Sequence, residues 1–207
     1  MDDINYETVI ENEDMEDFGP MFSDGTENIW DAVSFGSLPA VRYYTNQDPN
    51  CIHIKYHDEF NLTWWNALHY ACAYGHLQIV HYLITKGVAV DCLDNYRATP
   101  LLIACANGHL SIVNYLLNKG ADINQSDCEG NSPVHMAVFN NNLKLVAMLT
   151  ERGARAMEAN RFQMRPRVLA LYLGNRHGVF NYLSKIDKHR EFTFDSQYIR
   201  NSLYRGY

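Results

Sequence analysis

The stretch TPLLIACANGHLSIVNYLLNKGADIN, Thr99–Asn124, decides the fold. Pro100 suits the first turn of a helix, where a missing N–H costs nothing, and Thr99 can cap the orphan donors of that turn. Gly108 can take the positive φ that ends the helix. Leu110, Val113, Leu116 and Leu117 then recur at i, i+3 and i+6/7, which predicts a second helix burying that stripe.

Working outward, the same unit returns on both sides. Asn66-Ala-Leu-His-Tyr-Ala71 and Ser132-Pro-Val-His-Met-Ala137 superpose on Thr99-Pro-Leu-Leu-Ile-Ala104 at a spacing of 33 residues each way. Gly75-His76-Leu77 matches Gly108-His109-Leu110, with Asn141-Asn142-Leu143 in the next copy. Val80, Val113 and Val146 align, as do Leu83, Leu116 and Leu149, and Gly87, Gly120 and Gly153. At these residues the chain resembles the ankyrin repeat family, with its T-P-L-H-x-A helix start, G-H break and G-A-D hairpin, here Gly120-Ala121-Asp122-Ile123-Asn124. The resemblance implies an all-α solenoid of helix-turn-helix units joined by short β-hairpins. One helix pair cannot bury its own apolar stripe, so neighbours must stack.

Two weaker copies extend the phase. Pro166 lies 33 residues after Pro133, and Ala32, Gly36, Leu38 and Val41 align with Ala71, Gly75, Leu77 and Val80 at a spacing of 39, so an insertion falls near 45–62. Five repeats are expected near 28–62, 63–95, 96–128, 129–161 and 162–190, between an acidic segment at 1–27 and an extension at 191–207.

Net charge is −7, but it is segregated along the chain. Residues 1–27 carry ten acids and no Lys or Arg, residues 28–151 ten acids and six bases, and residues 152–207 four acids and eleven bases. No apolar run approaches the roughly 18 residues of a membrane span, and the first residues have neither the basic start nor the apolar core of a secretion signal. Five cysteines without C-x-x-C pairs fit free thiols in a reducing compartment. The expected location is the cytoplasm, with the nucleus as the alternative, and no membrane association is expected.

No catalytic fingerprint occurs, and no cofactor is expected. The resemblance gives His69 and His135 the role of bracing neighbouring hairpins and places His76 and His109 in the helix break. Cys72 and Cys105 occupy a slot for small apolar groups. Cys51, His53 and His57 escape the repeat pattern. Ile52, Ile54 and Tyr56 alternate like an extended segment, on which the two histidines would not share a face. A metal or enzymatic role for the Cys51–His57 loop is a remote alternative.

The resemblance puts recognition on the concave face, at positions not spent on the fold. These are Thr63, Trp65, Tyr74, Asn95, Tyr96, Arg97, Asn107, Glu129, Asn131, Phe139, Asn140 and Tyr172. Their aromatics are interface anchors, with space-filling under the hairpins as the alternative for Trp65 and Phe139. Trp64 and Arg97 stand where Gly130 shapes the fourth hairpin, so distorted turns are expected, with Arg97 reaching toward a carboxylate. Arg152, Arg155, Arg161, Arg165, Arg167 and Arg176 form a second candidate surface, suited to an acidic protein partner. Nucleic acid is disfavoured by the acidic chain, and oligomeric state is left open. Leu116, Asp122 and Ile123 around Asn124 resemble the pattern accepted by an asparaginyl hydroxylase, with a structural role for Asn124 in the hairpin as the leading reading and hydroxylation as the alternative. The function implied is a non-catalytic adaptor or scaffold, with a structural subunit of a cytoskeletal or ciliary assembly as the alternative.

Overall fold

The computed structural model describes residue 26 and residues 28–58, 62–174 and 176–187. Apart from Thr26, the acidic segment read at 1–27 lies outside them, as does the extension read at 191–207. The described residues contain ten helices in five consecutive pairs. These are α1 (Ile29–Phe35) and α2 (Leu38–Gln47), α3 (Ala67–Tyr74) and α4 (Leu77–Thr85), α5 (Pro100–Asn107) and α6 (Leu110–Asn118), α7 (Pro133–Phe139) and α8 (Leu143–Glu151), and α9 (Pro166–Tyr172) and α10 (His177–Ile186). The first helices stack in order as an inner layer, while α2, α4 and α6 pack in sequence outside them and α10 packs on α8. This is the expected mostly helical repeat solenoid.

Local chemistry sets the helix limits. Thr99 Oγ1 accepts from Leu102 N at 3.2 Å, and Pro100, Pro133 and Pro166 open their helices. Gly75 (φ 85°) and Gly108 (φ 77°) end α3 and α5 in the left-handed region. Asn141 takes the same conformation at φ 56°, a position Asn tolerates better than most side chains.

The core shifts the expected stripe by one step. Ile79, Val80 and Leu83 are buried in α4, and Ile112, Val113 and Leu116 in α6. Leu77 is half-buried and Leu110 exposed, because each sits at the first residue of its helix, at the corner of the stack. Ile84 and Leu117 are half-buried as well.

The insertion folds as a 3-10 turn at Cys51–His53 followed by a hairpin of β1 (Tyr56–Asp58) and β2 (Thr63–Trp65). Tyr56 pairs with Trp65, His57 with Trp64 and Asp58 with Thr63. The extended reading of 52–56 therefore fails at Ile52, inside the 3-10 turn, and holds from Ile54, where the backbone is extended, into β1.

Candidate functional site

The turns between helix pairs are built on Asp94, Asp127 and Asn160, spaced by 33 residues. Asp94 Oδ1 accepts from Tyr96 N (2.8 Å) and Ala98 N (2.7 Å), Asp127 Oδ1 from Glu129 N and Asn131 N, and Asn160 Oδ1 from Phe162 N and Met164 N. Arg97 adopts φ 61° inside the first of these turns, where Gly130 has φ 80° in the second. Both turns close with the same pair of backbone bonds, Asp94 with Ala98 and Arg97, Asp127 with Asn131 and Gly130. Arg97 is thus an undistorted but strained substitute for glycine, held by the aspartate, with its side chain exposed. Trp64 instead lies within β2.

Adjacent units are tied together at both ends of the inner helices. At the turns, Cys128 N donates to Tyr96 O and Arg161 N to Glu129 O, each at 2.8 Å. At the helix breaks, His76 Nε2 donates to Ser34 O and His109 Nε2 to Ala73 O, each at 3.0 Å. Asn140 Nδ2 donates to Ala106 O at 3.0 Å, and Arg176 to the carbonyls of Val138 and Phe139. The donors crowd the preceding glycine: a Cβ on Gly75 would lie 2.7 Å from the His109 ring. At the helix starts, Asn66 N and Ser132 N donate to Nδ1 of His69 and His135, and the Nε2–H groups reach Ala98 O (3.4 Å) and Met164 O (2.9 Å). Burial holds both imidazoles neutral, pushing His69 down to about 4 and His135 below the ordinary histidine range.

This geometry matches the family expected from the sequence. The ankyrin repeat model fits residues 29–127 in three copies and residues 129–161 in one more, over half of the chain. The chain belongs to the ankyrin repeat family. Ankyrin repeats are protein–protein interaction modules, typically without catalytic activity. No curated protein matches this sequence. The fifth helix pair, α9 and α10, lies beyond the matched residues and continues the same stack.

On this ankyrin frame the twelve residues expected on the recognition surface separate into two groups. Tyr74, Tyr96, Arg97, Phe139 and Tyr172 are exposed, Tyr172 at 67%. The polar candidates mostly join units or cap helices. Asn95 donates to Leu62 O and accepts from Trp64 N, and Asn107 donates to Ile103 O. Asn131 is only 4% exposed, donates to Asp127 and Glu129, and accepts from Asn160, so burial takes it off the recognition surface. Trp65 is half-buried, donates from Nε1 to Asp94 Oδ2 at 3.0 Å and packs edge-on against Tyr70. It follows the space-filling alternative, while Phe139 points outward. Thr63 is half-buried with its hydroxyl enclosed.

Sequence reading missed Phe35, 65% exposed at the end of α1. The 39-residue offset that aligns Gly36 with Gly75 also aligns Phe35 with Tyr74 and could have found it. The exposed Trp64 and Phe162 were missed too.

The six arginines do not form one surface. Arg167 pairs with Asp187 at 3.1 Å, with side-chain exposures of 16% and 7%. Arg176 caps α7, and Arg152 binds the side chains of Asn114 and Asn118 on α6. Arg155 pairs with Glu158 on the hairpin side. Arg165 is half-buried at the start of α9, and Arg161 is exposed.

Two constellations have residue types suited to chemistry. Cys92 Sγ lies 4.0 Å from both ring nitrogens of His69, on the axis of neither, and accepts from Asn66 Nδ2 at 3.3 Å. Burial pushes Cys92 up to about 11, so thiol and imidazole are both neutral, the reverse of an activated thiolate–imidazolium pair. The Cys51 thiol, raised by burial and by Asp48, donates weakly to Tyr44 O, while His57 packs on Trp64 with ring centres 5.1 Å apart. Among the described residues no three His, Cys, Asp or Glu side chains converge as a metal site would require. No described helix is long and apolar enough to cross a membrane.

Proposed function

We propose that this chain is a non-catalytic adaptor or scaffold that holds a protein partner along its concave face, in the cytoplasm or nucleus. The observation that carries this reading is the placement of exposed aromatics at the last turns of the inner helices. Phe35 and Tyr74 occupy equivalent positions in the first two units, and Phe139 and Tyr172 equivalent positions in the last two. Between them lie Ala106, Asn107 and Asn140, exposed but small or polar. Two aromatic pairs flanking a polar interval suit a partner segment with two apolar anchors separated by about one repeat, and aromatics give large contact area at low entropic cost. Tyr96 and Arg97 at the turn tips extend the same surface.

The division into repeats at 28–62, 63–95, 96–128, 129–161 and 162–190 is part of this proposal. So is Asn124 as a hydroxylation acceptor, although its Oδ1 accepts from Arg155 N at 2.9 Å and braces the next unit. A gain of one oxygen in intact mass on coexpression with an asparaginyl hydroxylase, mapped to Asn124, tests that point.

The adaptor reading is tested by affinity purification from the native source, with the full chain and its Tyr74→Ala/Tyr172→Ala variant as baits. Proteins retained by the chain and lost by the variant, with helical signal unchanged, support it. An identical set retained by both overturns the aromatic face as the docking site.

A further inference from the structure

The outer-helix face carries a line of cations that the concave-face reading does not use. Arg42 on α2 lies 5.8 Å above the Tyr82 ring of α4, and Lys86, at the end of α4, lies 5.4 Å from the same ring. Lys119 follows one repeat later, 5.5 Å from Tyr115 on α6. Arg152, the next repeat equivalent, lies against α6 through Asn118, the residue beside Lys119. The four charges therefore run across neighbouring outer helices, and a fifth cation, Lys144, stands in the first turn of α8, at the opposite end of that helix from Arg152. None of the five is paired with a carboxylate among the described residues. The nearest acids in sequence are Glu151 beside Arg152, Asp122 after Lys119, which accepts from Asn124 N, Asp91 after Lys86, which accepts from Asp122 N, and Asp48 after Arg42, which accepts from Asn50 N; none of them lies within α2, α4 or α6. A cation at a helix C-terminus gains from the helix dipole, which accounts for Lys86, Lys119 and Arg152 singly. It does not account for Arg42 in the body of α2, nor for a whole face so short of acids.

We infer that this face is the docking surface of the chain's own acidic segment, residues 1–25. Three observations select that occupant. Its composition is complementary, because residues 1–27 hold ten acids and no Lys or Arg. Its point of attachment is on the outer layer: Thr26 is buried and its carbonyl accepts from Tyr44 OH on α2 at 3.1 Å, two residues from Arg42. The segment thus starts within about one helix diameter, roughly 10 Å, of the first cation. Its length suffices, because outer helices spaced by about 8–10 Å put the line near 30 Å, against a reach of about 80 Å for 25 extended residues. Tethering makes the contact intramolecular, so weak surface pairs act together at high effective concentration. The docking is electrostatic and fades as salt screens it.

Carbodiimide coupling of carboxylates to lysine amines in the full chain, read by peptide mass spectrometry, tests this directly. At about 0.01 M salt, bonds form between acids of residues 1–25 and Lys86, Lys119 and Lys144, and their yield falls at least about fivefold at about 1 M salt. The variant Arg42→Glu/Arg152→Glu, which removes no amine, lowers the same yields several-fold while leaving the helical signal intact. Coupling mainly to Lys55 on the hairpin side, equal coupling to all lysines, or no coupling overturns the inference. Coupling found only between isotopically distinct chains overturns it as well, by assigning the face to a second copy.

Discussion

Arg167 Nε lies 3.1 Å from Asp187 Oδ2, and this largely buried ion pair fastens the first turn of α9 to the end of α10. The contact lies off the N–H axis, so it is an ionic clasp more than a hydrogen bond. Removing one partner of a buried pair strands the other charge, at a cost of about 3 kcal/mol. Arg167→Ala is therefore expected to lower the urea midpoint by that order, and Arg167→Met/Asp187→Leu to recover most of it. Equal stability of Arg167→Ala and the parent chain would show that the clasp contributes nothing.

Gly75→Ala should be among the most damaging single-methyl changes in the chain. The new Cβ meets the His109 ring at 2.7 Å, and φ 85° is costly for any L side chain. Displacing His109 also frees Ala73 O from the imidazole that caps it. A loss of about 2–4 kcal/mol is expected. Gly87→Ala, with nothing within 4 Å of its Cβ and a similar φ, is the control for backbone strain alone. Equal losses at the two sites would remove the ring contact from the account.

Arg97 is the opposite case. Its φ of 61° costs about 1 kcal/mol that Arg97→Gly should return as a higher melting temperature. If the exposed guanidinium serves the proposed partner, affinity falls in the same variant. Higher stability with unchanged affinity would remove Arg97 from the interface.

Acid should loosen the stack before it protonates most carboxylates. His69 is held down to about 4, below the 6.5 of a free imidazole, so the unfolded chain binds more protons between those values. The contribution is complete above pH 6.5 and lost as pH falls toward 4, amounting to about 2 kcal/mol by pH 5. Urea titrations at pH 7 and 5 measure it. His69→Gln should be less stable at pH 7 yet lose less on acidification; a slope as steep as that of the parent chain would place the effect elsewhere.

Substituting Ala for both Tyr74 and Tyr96 should weaken partner binding by more than about 2 kcal/mol with helical content retained. Unchanged affinity would take these rings out of the interface.

The sequence made the solenoid legible because its repeat is written in residues with local duties. Pro100 opens a helix, Gly108 closes one, and the 33-residue spacing says that the same duties recur. The candidate site was less legible, since the duties of its polar residues lie in the neighbouring unit. Nothing near Asn131 in sequence reveals that Asn160 will hold it, and nothing near Asn95 reveals Leu62. Charge was misleading for the same reason. Counted along the chain, the arginines from Arg152 to Arg176 read as a basic end. Folding sends Arg152 to the outer face, Arg167 inward and Arg176 to a helix terminus, while Lys86 and Lys119, unremarkable in sequence, line up.

The ladder of His76, His109, Asn140 and Arg176 gives the stack a direction in time. Each donor closes the inner helix of the unit made before it. As the chain emerges during synthesis, the newest inner helix stands with bare terminal carbonyls until the following unit folds against it. Every pair is therefore completed by its successor. A chain cut short after α8 would strip Arg176 from Val138 and Phe139, whereas one lacking α1 would bare the face of α3 packed on it but leave α3, α5 and α7 capped, with the imidazole of His76 free to turn to water.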